Sequence, residues 1–194
     1  MTGQPASVAR SRPTASPLPL PDAGRYAVAW TGHRPEFFAA PTGVAAAVHE
    51  IAATLKGRYG EGLVFLCGGQ RGVDTWAAAA AQLLGIRVHL YLPLPVARFA
   101  ADWQPADRAA LEQSWAHAAE RIVVDPDGAL GAEAYTRRNR LLAECCDVLI
   151  AMWTGLGGGG TAETIAFACG FGRAVEEHRF VASGREPQPG ERGV

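Results

Sequence analysis

Four consecutive glycines, Gly157–Gly160, separate an apolar run from a helix-like start in WTGLGGGGTAETIAF (residues 153–167). Each glycine raises the entropy cost of ordering the backbone, so such a run is expected where something must come very close to the main chain. A helix opening directly after it presents unpaired N–H groups, a ready cradle for a phosphate. Gly158, Gly159, Gly160 and Thr161 are therefore candidate phosphate contacts. The same stretch formally satisfies GxGxxG through Gly155, Gly157 and Gly160, with Glu176 and Glu177 near the distance of a ribose-binding acid. That fingerprint needs a complete βαβ unit, and here it falls in the last fifth of the chain with almost no sheet left to follow. A phosphate-bearing ligand is favoured over a redox dinucleotide.

Three further segments carry chemistry. TGHRPE (31–36) offers backbone access at Gly32, a titratable ring at His33 and a guanidinium fork at Arg34, unless it is a surface turn closed by Pro35. In CGGQRGVDTW (67–76), Gly68, Gly69 and Gly72 bend the chain before a helix whose free N–H groups can hold an anion, which makes Gly68 and Gly69 candidate ligand contacts, and Arg71 adds charge. Asp74 either accepts hydrogen bonds from a ribose or caps that helix. In AYTRRNRLLAECCDVLI (134–150), Arg138 lies three residues before Leu141 and Asn139 three before Leu142. If this segment is helical, both begin its buried face, and a cation and an amide stand at the helix start. Arg137 and Arg140 read as solvated charges.

These segments need elements to position them. Apolar runs at 26–30, 63–67, 88–92, 121–124, 148–153 and, more weakly, 174–180 predict strands buried on both faces of a parallel sheet. Between them, Val44, Val48, Ile51 and Leu55 recur at helical spacing, and further helices are expected at about 75–84, 106–119, 133–146 and 161–170. The two prolines of LPLPVARFAADW (92–103) stop the third strand and fix an extended turn; Phe99 and Trp103 there are packing residues or a wall for a ring. Strands alternating with helices imply a three-layer, Rossmann-like open α/β sheet, mostly parallel, with helices on both faces. In such sheets ligands bind at the carboxyl ends of the strands, where the chemistry-bearing segments fall.

The 194 residues, 48% of them hydrophobic, suffice for one domain with a real core, placed at 25–181. The Pro-, Ser- and Ala-rich segment 1–24 reads as a disordered leader and 182–194 as a flexible tail. With 18 basic and 19 acidic residues there is no electrostatic footprint for nucleic acid, so a DNA or RNA partner is not expected. No apolar run reaches the length of a membrane span and 1–24 lacks a signal-peptide core, which makes a cytoplasmic location the expectation. Cys67, Cys145, Cys146 and Cys169 lack zinc or disulfide spacing and read as reduced, mostly buried residues. No GxxxxGK[ST] loop, GxSxG or HExxH occurs, and neither a metal nor a cofactor is expected. His49, His89 and His117 read as structural or surface residues.

The ordered set TGHRPE, GGQRGVD, LPLP, RRN and GGGGT, over about residues 26–175, resembles the SLOG superfamily, which takes its name from the DNA-processing and LOG phosphoribohydrolase proteins. It is most similar to the YpsA-like branch. The resemblance implies a Rossmann-like domain, often a homodimer, that binds nucleotides or nucleotide-derived small molecules. In LOG enzymes the loop pattern PGGxGTxxE and an Arg from the preceding helix cleave a base from a ribose 5′-phosphate. Gly157, Gly158, Gly160, Thr161 and Arg138 match that pattern here. Leu156 replaces its proline, Thr164 stands where its glutamate would be, and Asn139 replaces the lysine after the Arg. Glu163 is one residue early, and about 100° of helical rotation should point it away from the face shared by Thr161 and Thr164. The resulting expectation is a binding or sensing domain, with Arg71, Arg138 and Arg34 supplying charge and Asn139, Asp74, Thr161 and Thr164 supplying hydrogen bonds. The alternative is a phosphoribohydrolase using Arg138 with Glu163, Asp74 or Glu36 as the acid.

Overall fold

Six parallel strands form one sheet in the order β4-β3-β2-β1-β5-β6 in a computed structural model, which describes residues 24–184. The strands are β1 (Tyr26–Gly32), β2 (Leu63–Cys67), β3 (Arg87–Leu92), β4 (Glu120–Val123), β5 (Val148–Trp153) and β6 (Ala174–Arg179). The helices are α1 (Pro41–Tyr59), α2 (Val73–Leu83), α3 (Val96–Phe99), α4 (Pro105–His117), α5 (Glu133–Cys145) and α6 (Gly160–Gly170). The Rossmann-like architecture expected from the alternation is therefore present. The chain first builds outward from β1 to β4, then crosses back to lay β5 against β1, with Val28 opposite Val148 and Gly32 opposite Met152. The connections on either side of β1 and β5 thus diverge and leave a crevice at their carboxyl ends.

The two faces of β1 are filled differently. Tyr26, Val28 and Trp30 enter a core shared with Val44, Val48, Ala52 and Leu55 of α1 and with Ala77, Ala78, Ala80 and Ala81 of α2. Trp30 packs edge-on against Phe65 with ring centroids 5.2 Å apart, and Tyr26 stacks on Tyr59 at 4.0 Å. On the other face, Ala27 and Ala29 join Leu142 and Ala143 of α5 and Ala168 of α6. That face also carries Val64, Leu66, Tyr91 and Leu149 of the neighbouring strands.

Departures from the sequence reading are local. Ala52 is buried and Ile51 only partly so, because α1 turns a small residue onto the sheet. Residues 96–99 form a turn of helix rather than a wholly extended connection, and this buries Phe99 in the core. Cys67 and Cys146 are buried, but Cys145 and Cys169 are exposed at the ends of α5 and α6, so mostly buried does not describe the four. The leader falls outside the described residues except for Gly24, and so does the tail beyond Gly184. Residues 182–184, assigned by sequence to the tail, are anchored: Ala182 bridges Phe38 in antiparallel fashion, and Ser183 Oγ donates to the Glu36 carbonyl at 2.6 Å. No helix among the described residues is long and apolar enough to cross a membrane.

At Gly32, where β1 ends, a Cβ would overlap the Met152 carbonyl and the Val73 side chain. This glycine sets how closely β1, β5 and α2 meet. Gly32→Ala is expected to lower stability by about 1–3 kcal/mol, as overpacking of a filled site does. Urea denaturation monitored by tryptophan fluorescence measures it.

Candidate functional site

A cavity of about 890 Å³ opens at the carboxyl ends of β1 and β5. Thr31, Gly32, His33 and Arg34, at and after the end of β1, form one side of it. The His33 N–H donates to the Met152 carbonyl at 3.2 Å, which pins this loop to β5. Thr154 Oγ1 stands 3.4 Å from His33 Nδ1, and the His33 ring lies among Phe37, Phe38 and Trp153. Burial, and secondarily the Arg34 charge, holds the His33 pKa below its ordinary value, so the ring is neutral at pH 7. Arg34 lies 3.8 Å from Glu36 and over the Phe37 ring.

The floor is a buried ion pair. Arg138, on the inner face of α5, and Asp74, in the first turn of α2, are 6% and 7% exposed, with Arg138 Nη1 3.6 Å from Asp74 Oδ2. Arg138 also donates to the Gly68 carbonyl, and Asp74 accepts the Gln70 N–H at 3.1 Å. Burial dominates both partners: it lowers the Arg138 pKa and pushes Asp74 up to about 6, against the opposing effects of the guanidinium and the Gln70 N–H. Arg138 Nε has no hydrogen-bond partner in the structure. Asp74 is not the N-cap of α2; that position is Gly72, with no side-chain cap.

The third side is the glycine turn and α6. Gly159 occupies the N-cap position with φ +91° and ψ −168°, a conformation that favours glycine. No atom lies within 4 Å of the place where a Cβ would stand on Gly157, Gly158 or Gly159. The first helical bond nearby runs from the Glu163 N–H to the Gly159 carbonyl, so the N–H groups of Gly160, Thr161 and Ala162 lack helical partners.

Glu163 differs most from expectation. It does turn off the face of Thr161 and Thr164, but that rotation aims it at α5 and into the cavity. There Oε1 accepts from Thr136 Oγ1 at 2.9 Å and Oε2 from Asn139 Nδ2 at 2.8 Å.

Of the residues singled out by sequence, the cavity gathers Gly32, His33, Arg34, Asp74, Arg138 and Asn139, together with Gly158, Gly159, Gly160, Thr161 and Glu163. Thr164, Gly68, Gly69, Arg71 and the candidate acid Glu36 do not border it. Thr164 is 1% exposed and spends its hydroxyl on the Gly160 carbonyl at 2.6 Å. At Gly68 the missing side chain makes room for the Arg138 guanidinium, and at Gly69 for Leu92 and Leu111. Arg71 pairs with Glu36 at 3.0 Å and Asp107 at 3.5 Å and lies over Trp103. Sequence reasoning missed Gln70, Tyr135, Thr136 and Thr154, which also line the cavity. The spacing Tyr135–Arg138 and Thr136–Asn139, three apart on one helix, is the signal that marks two of them. Among the described residues no group of three or more His, Cys, Asp or Glu is arranged to hold a metal ion.

This arrangement defines a Rossmann-like α/β domain with a ligand-sized cavity at the reversal of its strand order. The sequence matches no protein-family profile and no curated protein. Among solved structures it is similar to DNA processing protein A from Streptococcus pneumoniae (TM-score 0.58, 20% identity, 79% of this chain and 50% of that one). It is similar also to DNA processing protein A from Helicobacter pylori, described for its single-stranded DNA binding mode (0.52, 17%, 79% and 65%). A third is the molybdenum cofactor carrier protein from Chlamydomonas reinhardtii (0.51, 19%, 79% and 76%). The chain thus spans half the length of the Streptococcus protein, and these likenesses are of fold.

Asp74 binds its proton more tightly in the folded than in the unfolded chain. Its contribution to stability is therefore fully present below the ordinary carboxylate range near 3.8 and is lost as pH rises through about 6. Unfolding free energies of the wild type and Asp74→Asn, compared from pH 4 to pH 7, are expected to shift in the variant's favour with rising pH.

Proposed function

We propose that this domain binds a nucleotide or a nucleotide-derived phosphorylated small molecule, its phosphate seated on the main chain of Gly158–Thr161. The observation that carries this reading is the vacant space beside Gly157–Gly159, directly before an eleven-residue helix with no side-chain N-cap. A helix N-terminus favours an anion through its free N–H groups and its dipole. The buried Arg138 on the same cavity adds a cation with an unpartnered nitrogen. Motif resemblance to the SLOG superfamily and its YpsA-like branch supports the same assignment, as does structural likeness to DNA processing proteins. The resemblance to that superfamily also favours a homodimer, and a domain that binds such a ligand suits a role in sensing it. Single-stranded DNA is the less favoured ligand, because 18 basic and 19 acidic residues provide little net attraction for a polyanion.

Gly158→Asp separates binding from folding. Its backbone tolerates a side chain and its surroundings leave room for one, but the carboxylate would occupy the phosphate position. Calorimetric titration and thermal-shift measurements with nucleoside monophosphates, ADP-ribose and nucleotide sugars are expected to show binding by the wild type. The variant is expected to lose it while keeping the unliganded melting temperature within a few degrees. No response of the wild type to any of these compounds would sink the reading.

The position of Glu163 favours a second reading, hydrolysis of the N-glycosidic bond of a nucleoside 5′-monophosphate. A carboxylate held in the cavity by Thr136 and Asn139 is suited to stabilise an oxocarbenium-like transition state while water adds to the sugar and the base departs. Release of free base from a monophosphate, reduced at least a hundredfold in Glu163→Gln, is the expected result for an enzyme.

A further inference from the structure

The Glu163 carboxylate is fixed rather than free. Thr136 and Asn139 each donate one hydrogen bond, one to each oxygen. An ionised carboxylate has about four acceptor sites, so capacity remains on both oxygens. Glu163 lines the cavity, and no Lys, Arg or His among the described residues forms an ion pair with it. What it offers the cavity is two neighbouring acceptors with their orientation already set. A cationic ligand group is a poor match, since the charge of Arg138 already acts on this carboxylate and Arg34 stands on the same cavity. Two adjacent neutral hydroxyl donors are a good match.

We propose that Glu163 recognises the vicinal diol of a pentose, so that the cavity selects ribose over 2-deoxyribose. The inference rests on the phosphate assignment above and adds the sugar to it. Glu163 is the fourth residue of α6, and a helical side chain leans back toward the helix N-terminus. A phosphate on the first-turn N–H groups would therefore hold its attached sugar beside this carboxylate. Thr136 and Asn139 are the positioning residues: they keep both oxygens in place before the ligand arrives, which removes the ordering cost of recognition.

The test is calorimetric titration of the full chain with the four ribonucleoside 5′-monophosphates and their 2′-deoxy counterparts. The expected result is that a ribonucleotide binds about tenfold or more tightly than its deoxy form, the scale of one hydrogen bond to a charged acceptor. Glu163→Gln and Glu163→Ala, checked by thermal unfolding, are expected to bring that ratio below about threefold, the ribonucleotide losing more affinity than the deoxy form, which has only its 3′-hydroxyl to lose from this carboxylate. Thr136→Val should lower the ratio part of the way. Equal binding of both sugars by the wild type, abolished for both by Gly158→Asp, overturns the diol assignment and leaves the phosphate reading standing. A ribose preference unchanged in both Glu163 variants removes Glu163 from the role. If no monophosphate binds, the phosphate reading falls and this inference falls with it.

Discussion

One guanidinium reaches from one helical layer to the other side of the sheet's carboxyl edge. Arg138 belongs to α5, while its partners, the Gly68 carbonyl and Asp74, belong to the β2–α2 connection. A buried charge pair of this kind contributes little net stability, because the desolvation of both ions offsets their attraction. What it supplies is position. Gly68 must lack a side chain to admit the guanidinium, α5 must lie close to the sheet, and Asp74 must face inward rather than cap its helix.

β1 presents different residues to the two helical layers. Ala27 and Ala29 face α5 and α6, whereas the opposite face carries Tyr26 and Trp30. The alanine side of β1 carries the helices that deliver Arg138, Asn139, Thr136 and Glu163. The crevice between β1 and β5 follows from strand order, and these helices supply much of its polar lining.

Most of the fold was legible because buried parallel strands are continuous apolar runs and the helices between them have their own period. Val148–Trp153 and Leu63–Cys67 have the bounds their letters imply. Arg138 and Asn139 were legible as the start of a buried face, since their spacing to Leu141 and Leu142 is a property of one helix. Glu163 was only half legible: its rotation away from Thr164 followed from helix geometry, but what lay on the side it turned toward is set by the packing of α6 on α5. The glycines misled in a related way. Gly68 and Gly69 look like ligand-access positions, yet their absent side chains are replaced by protein atoms, a fact of tertiary packing that no local pattern records.

The strap that follows β6 has a practical consequence. Ala182 and Gly184 border the cavity, and Ser183 is tied to residues 36 and 37 beside it, whereas β1 begins at the opposite, amino edge of the sheet. Gly184 itself stands at the mouth of the cavity. A fluorescent label attached to a cysteine put at position 184 stands at the ligand's doorway, while one attached at position 25 stands at the far, amino edge of the sheet.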